Sequence, residues 1–134
     1  MKRKFIIAAW LVATFAPPAV MACGVCIEDR VAATYDHAII TAAIAKRQQV
    51  VFVGIDGPVA ASTIGTRIAA AARRVPGLKP GTLRTSGAPL AFSFALDESQ
   101  KPDAAVAGFQ AAVADTRARL TVMRVIRNGK LMEP

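Results

Sequence analysis

Histidine and cysteine are scarce in this chain, one and two among 134 residues. The single histidine, His37, rules out a histidine-clustered metal centre and leaves Ser62 and Thr63 without a base close in sequence. The two cysteines, Cys23 and Cys26, are three positions apart and cannot staple distant parts of a fold, so stability must come from an apolar core. Aromatic residues amount to only 6%, and the arginines are scattered with no aromatics between them, which argues against nucleic acid as a partner. The apolar run Phe5 to Ala16 is shorter than the roughly 20 residues a membrane-spanning helix needs. Internal repeats, low-complexity tracts, phosphate loops and paired catalytic groups are also missing, so nothing points to an enzyme.

What is present begins with a leader. Lys2, Arg3 and Lys4 precede the apolar run Phe5 to Ala16, Pro17-Pro18 follows, and Ala22 offers a small residue at a cleavage point. This layout predicts a secretory signal peptide over residues 1–22 and an exported, periplasmic protein of bacterial type. Cleavage after Ala22 makes Cys23 the first processed residue. Val20-Met21-Ala22-Cys23 also resembles a lipobox, so the chain is a lipoprotein candidate. An acylated Cys23 is a thioether that cannot bind metal, and its acyl chains would hold the domain on a membrane. Without residues 1–22, 14 basic residues face nine acidic ones, a net charge of +5. That balance favours anionic partners or lipid head groups. At 54% hydrophobic, the chain can build the core of one domain.

Residues 23–49 comprise the Cys-x-x-Cys segment and a helix expected over Ile27 to Lys46. Glu28 and Asp29 suit its positive end, and Ile27, Val31, Ala38, Ala42 and Ala45 form a small-residue stripe. Residues 50–134 form the main domain. Val50 to Ile55 reads as a strand buried on both faces. Asp56 is expected to cap the next helix, which runs to about Val75 with Ile64, Ile68, Ala71, Ala72 and Val75 inward. Gly81 to Ser86 is a weaker strand. Leu90 to Leu96 alternates, with Leu90, Phe92, Phe94 and Leu96 facing a thick core and Ala91, Ser93 and Ala95 facing a closely approaching element. A helix over Asp103 to Asp115 and a last strand over Leu120 to Arg127, ended by Asn128-Gly129, complete the chain. The order β-α-β-β-α-β predicts an α+β, ferredoxin-like sandwich, with the additional N-terminal helix covering the other face of its sheet.

Gly54-Ile55-Asp56-Gly57-Pro58-Val59-Ala60-Ala61-Ser62-Thr63-Ile64 resembles the Gly-Met-x-Cys-x-x-Cys-Ala-x-x-Ile motif of the heavy-metal-associated domain. That family includes copper chaperones and periplasmic mercuric-ion-binding proteins. Gly54, Ala61 and Ile64 match, Ile55 replaces the methionine, and Val75-Pro76-Gly77-Leu78 resembles the family's turn into its second strand. The resemblance covers residues 50–127 and implies the same element order. Gly57 and Ala60 stand where the family places its metal-binding cysteines, and neither carries a donor atom. The family's site is therefore not carried over to this loop.

Cys23-Gly24-Val25-Cys26 offers two sulfurs to one soft cation, copper(I) before mercury(II), at a helix start that favours the thiolate. A first helix of about 20 residues, about 30 Å long, running antiparallel to the strand after it, would set both cysteines beside the emptied loop Gly54–Pro58. The expected function is soft-metal binding through Cys23 and Cys26. The alternative is a metal-free protein-interaction module, lipid-anchored at a membrane or beside a membrane protein. A thioredoxin-like role lacks the core strand that should precede the motif, and an inert local disulfide stays open. Arg117, Arg119, Arg124 and Arg127 are expected to make a solvated sheet edge that discourages strand pairing.

Overall fold

Val50 to Ile55 forms the centre of β1 (Gln48–Asp56), and every residue from Gln49 to Ile55 is buried. A strand without a polar face needs cover on both sides, and the fold supplies it. The computed structural model describes residues 26–134. The expected signal peptide, residues 1–22, and Cys23 lie outside the described residues.

The protein is α+β, with four helices among the described residues and a five-stranded antiparallel sheet. In chain order the elements are α1 (Ile27–Ala33), α2 (His37–Ala45), β1, α3 (Ala61–Ala72), β2 (Arg84–Gly87), β3 (Leu90–Asp97), α4 (Pro102–Ala112), β4 (Arg119–Arg127) and β5 (Lys130–Met132). The sheet order is β2-β3-β1-β4-β5.

One face of the sheet packs against α3 and α4. Val51, Val53 and Ile55 of β1 meet Phe92, Phe94 and Leu96 of β3, Ile64 and Ile68 of α3, and Val106 and Phe109 of α4. The Phe109 ring centroid lies 4.9 Å from that of Phe92 and 5.2 Å from that of Phe94. The opposite face is thinner. Val50 and Phe52 of β1, Ala91 and Ala95 of β3 and Met123 of β4 pack with Ile40 and Ala43 of α2. The alternation in β3 thus divides as its pattern requires, with large residues toward two helices and small residues toward the N-terminal segment. Ser93 sits on the small face, buried, and its hydroxyl donates to the Thr34 carbonyl at 2.7 Å.

The helix expected over residues 27–46 is broken. Thr34 and Tyr35 leave the helical path, and Asp36 starts a second helix, its carboxylate accepting from the Ala38 and Ile39 amides at 3.0 and 3.1 Å. Asp36 also accepts from Arg84 of β2 at 2.9 Å. A capping carboxylate held by a remote guanidinium overrides the continuous small-residue stripe. Two further expectations are corrected. Asp56 ends β1 and does not cap α3, whose N-cap is Ala60 with no side-chain bond. Asn128 and Gly129, at φ 51° and 74°, are a two-residue hairpin turn that adds β5, which pairs with Val125–Arg127. The expected arginine edge is thereby shortened, with Arg127 covered and β4 from Arg119 to Arg124 left without a strand partner on that side among the described residues.

The start of β1 is locked by a polar residue. Gln49 is fully buried; its amide donates to the carbonyls of Asp97 and Gln100 at 2.9 and 2.6 Å and accepts from Arg127 at 2.7 Å. It ties β1, the loop after β3 and the end of β4 together with all its polar atoms used.

Candidate functional site

Cys26 is the N-cap of α1, exposed and free. Its thiol donates to Asp29 Oδ2 at 3.1 Å. Glu28 turns to Arg124 on β4, with Nη2 to Oε1 at 3.0 Å. Arg30 reaches Asp56 at the end of β1, with Nη2 to Oδ1 at 2.7 Å. Thr34 meets Ser93 on β3. In chain order α1 therefore meets β4, then β1, then β3. It crosses the strands, which corrects the expectation of one helix running antiparallel to β1.

This crossing sets Cys26 on the β4 side, one helical turn before Arg30, about 6 Å along the axis. The Arg30 amide donates to the Cys26 carbonyl at 3.3 Å. The Arg30 side chain, 18% exposed, lies over Gly54 and joins the start of α1 to the loop after β1. A Cβ on Gly54 would stand 2.6 Å from Arg30 Nη1 and 3.0 Å from Met123 Sδ, so the glycine makes room for the guanidinium. Sequence reasoning misses Arg30 and Asp56 as partners because they are 26 positions apart. Opposite charges at that separation carry no pairing signal.

The loop 54–58 has no place for the thiol that the heavy-metal-associated motif would put at Gly57. Gly57 has φ +120°, and a Cβ there would overlap the Arg117 carbonyl oxygen. Ala60 is exposed at the start of α3. Beside it a groove of about 470 Å³ is lined by Pro58, Val59, Ala60, Thr63, Ile64, Thr116 and Arg117. That lining offers two hydroxyls and a guanidinium, with neither thiol nor carboxylate, and such donors suit a soft cation poorly.

His37 is the first residue of α2 and exposed, on a different helix from Cys26. Among the described residues no group of three or more His, Cys, Asp or Glu side chains is arranged around a common metal position. Cys26 and Asp29 are the only thiol–carboxylate hydrogen bond among them. The expected partner thiol, Cys23, lies outside the described residues. Arg124 accepts no free role either: Glu28 at 3.0 Å and Glu133 at 3.7 Å both lean on it.

Comparison with protein-family models, curated proteins and solved structures finds no match for this chain.

Proposed function

We propose that the chain is an exported protein that binds and passes on a soft metal ion, copper(I) before mercury(II), through Cys23 and Cys26, without catalytic turnover. The observation that carries this reading is the setting of Cys26: a free, exposed thiol at the head of α1, one turn before Arg30 in the chain and within reach of the emptied loop's side of the sheet. Two thiolates around copper(I) carry a net negative charge. The Cys26 thiol donates to Asp29 and the Arg30 guanidinium is held by Asp56, so metal binding would have to displace the Asp29 contact. Glycine at position 57 supports a donor set outside the loop, because the loop has no space for a cysteine there. The strand order β2-β3-β1-β4, with α3 and α4 on one face, supports the ferredoxin-like arrangement, to which α1, α2 and β5 are additions.

The second reading is a metal-free interaction module, lipid-anchored through Cys23. The absence of donors along the loop groove favours it. Intact mass of the exported protein separates the two. An unmodified Cys23 and uptake of copper(I) by the reduced protein support the metal carrier. A diacylglyceryl adduct on Cys23, or no uptake at micromolar metal, supports the module.

A further inference from the structure

Five large apolar side chains are exposed among the described residues: Ile27, Tyr35, Ile44, Leu131 and Met132. None lies on α3 or α4. Met132 pairs with Val125, a member of the core under α3 and α4, and so points to that side of the sheet. The other four belong to α1, the α1–α2 junction, α2 and β5. Tyr35 and Leu131 line one groove of about 320 Å³ with Val31 and Ala32. Ile44 extends the apolar surface toward the β4–β5 turn, where its Cδ1 lies 3.8 Å from a Cβ placed on Gly129.

Cations flank this surface. Lys46 and Arg47 follow α2; both are exposed, and neither takes part in an ion pair among the described residues, whereas Lys130 pairs with Arg127 in the sheet and so points, like Met132, to its other side. Of the acidic groups nearby, Glu28 and Glu133 are turned onto Arg124, with Glu28 and Arg124 lining the same groove, and Asp29 accepts from the Cys26 thiol. Lys and Arg beside exposed apolar and tyrosyl side chains are the composition of a surface that rests in a head-group layer.

The path of the chain points the same way. Cys26 begins α1, and Cys23 is three residues earlier, at most about 10 Å of extended backbone away. A leader or an acylated Cys23 seated in a bilayer would therefore hold α1 against the membrane. We propose that the face formed by α1, α2 and β5 docks on an anionic lipid surface, with Leu131, Tyr35 and Ile44 entering the interface and Lys46 and Arg47 meeting phosphate groups. The proposal stands apart from metal binding: the apolar and basic face carries it, and an acylated Cys23 would add only a tether.

Hydrogen exchange of the exported protein, with and without vesicles containing phosphatidylglycerol, tests this in either processing state, because a tether alone protects no particular face. Vesicles should slow exchange in peptides covering residues 27–47 and 128–133 and leave α3 and α4 unchanged. Leu131→Asp should weaken that protection, with apparent vesicle affinity about tenfold lower, the scale of one large apolar side chain leaving the interface. Lys46→Glu combined with Arg47→Glu should do the same and remove its salt dependence, whereas Ala70→Asp on the exposed side of α3 should have no effect. Leu131 is 60% exposed, so its replacement leaves the core intact. Uniform exchange with and without vesicles overturns the proposal. So does protection of the same peptides that rises with protein concentration in the absence of lipid, which assigns the face to a second copy of the chain.

Discussion

Arg30 and Asp56, 26 residues apart, meet at 2.7 Å and fasten the first helix to the loop that ends the first strand. Arg30 is largely covered and Asp56 about half exposed. The Arg30 Nε is buried without a partner, so the Asp56 carboxylate is its main compensation. Asp56→Asn should cost about 1 kcal/mol of stability, limited by the exposure of the carboxylate. Urea unfolding checks the cost, and hydrogen exchange should show α1 loosening before the sheet does.

The loop itself should resist restoration of a family-type metal site. Gly57→Cys forces a side chain onto the Arg117 carbonyl at φ +120°, at an expected cost of about 1–3 kcal/mol. Ala60→Cys sits at an exposed position and should be nearly neutral. Thermal unfolding of the two single variants and the double variant provides the comparison. A stable double variant that binds copper(I) at the loop would show that the loop can reopen.

The two faces of β3 should respond to opposite changes. Phe94→Ala empties part of the aromatic cluster around Phe109 and should cost about 3–5 kcal/mol. Ala95 is fully buried in the thin cluster beneath α2, so Ala95→Leu should cost about 1–3 kcal/mol by overpacking. Exchange should rise mainly in α2 for Ala95→Leu and across the sheet for Phe94→Ala.

Acid should weaken the fold through Asp36 and Asp115. The amide of Ile39 and the Arg84 guanidinium hold Asp36 below its ordinary value, and Arg67 does the same for Asp115. A carboxylate whose pKa is lower in the folded state stabilises the fold above its unfolded value, near 3.9. That contribution is lost as pH falls through the folded value. Stability should therefore hold from neutral pH to about pH 4 and decline below it. Asp36→Asn should flatten the decline, and urea midpoints across this range would check it. Both groups are solvent-facing, so the effect should be modest.

Several elements are legible in the sequence because local pattern and tertiary packing agree. The β3 alternation of Leu90, Phe92, Phe94 and Leu96 with Ala91, Ser93 and Ala95 defines one thick and one thin face before any partner is known. The uniformly buried β1 requires cover on both sides, and α2 and α3 provide it. The break at Thr34–Asp36 is hidden because Val31, Ala38 and Ala42 keep a helical stripe across it, while the partners that fix it, Ser93 and Arg84, are far along the chain. Asn128-Gly129 does carry a hairpin signal, but β5 is only three residues long and offers little pattern to read. At the candidate site the cysteine spacing is legible in the sequence, although Cys23 lies outside the described residues. The contact that places α1, Arg30 to Asp56, is not, because two ordinary surface charges give no sign of meeting.

Native mass spectrometry of the reduced, exported protein with copper(I) tests the central claim most directly. The account predicts an unmodified Cys23, one copper(I) held per chain, and loss of that ion in Cys26→Ser. An acylated Cys23, or copper(I) retained undiminished in Cys26→Ser, would contradict it.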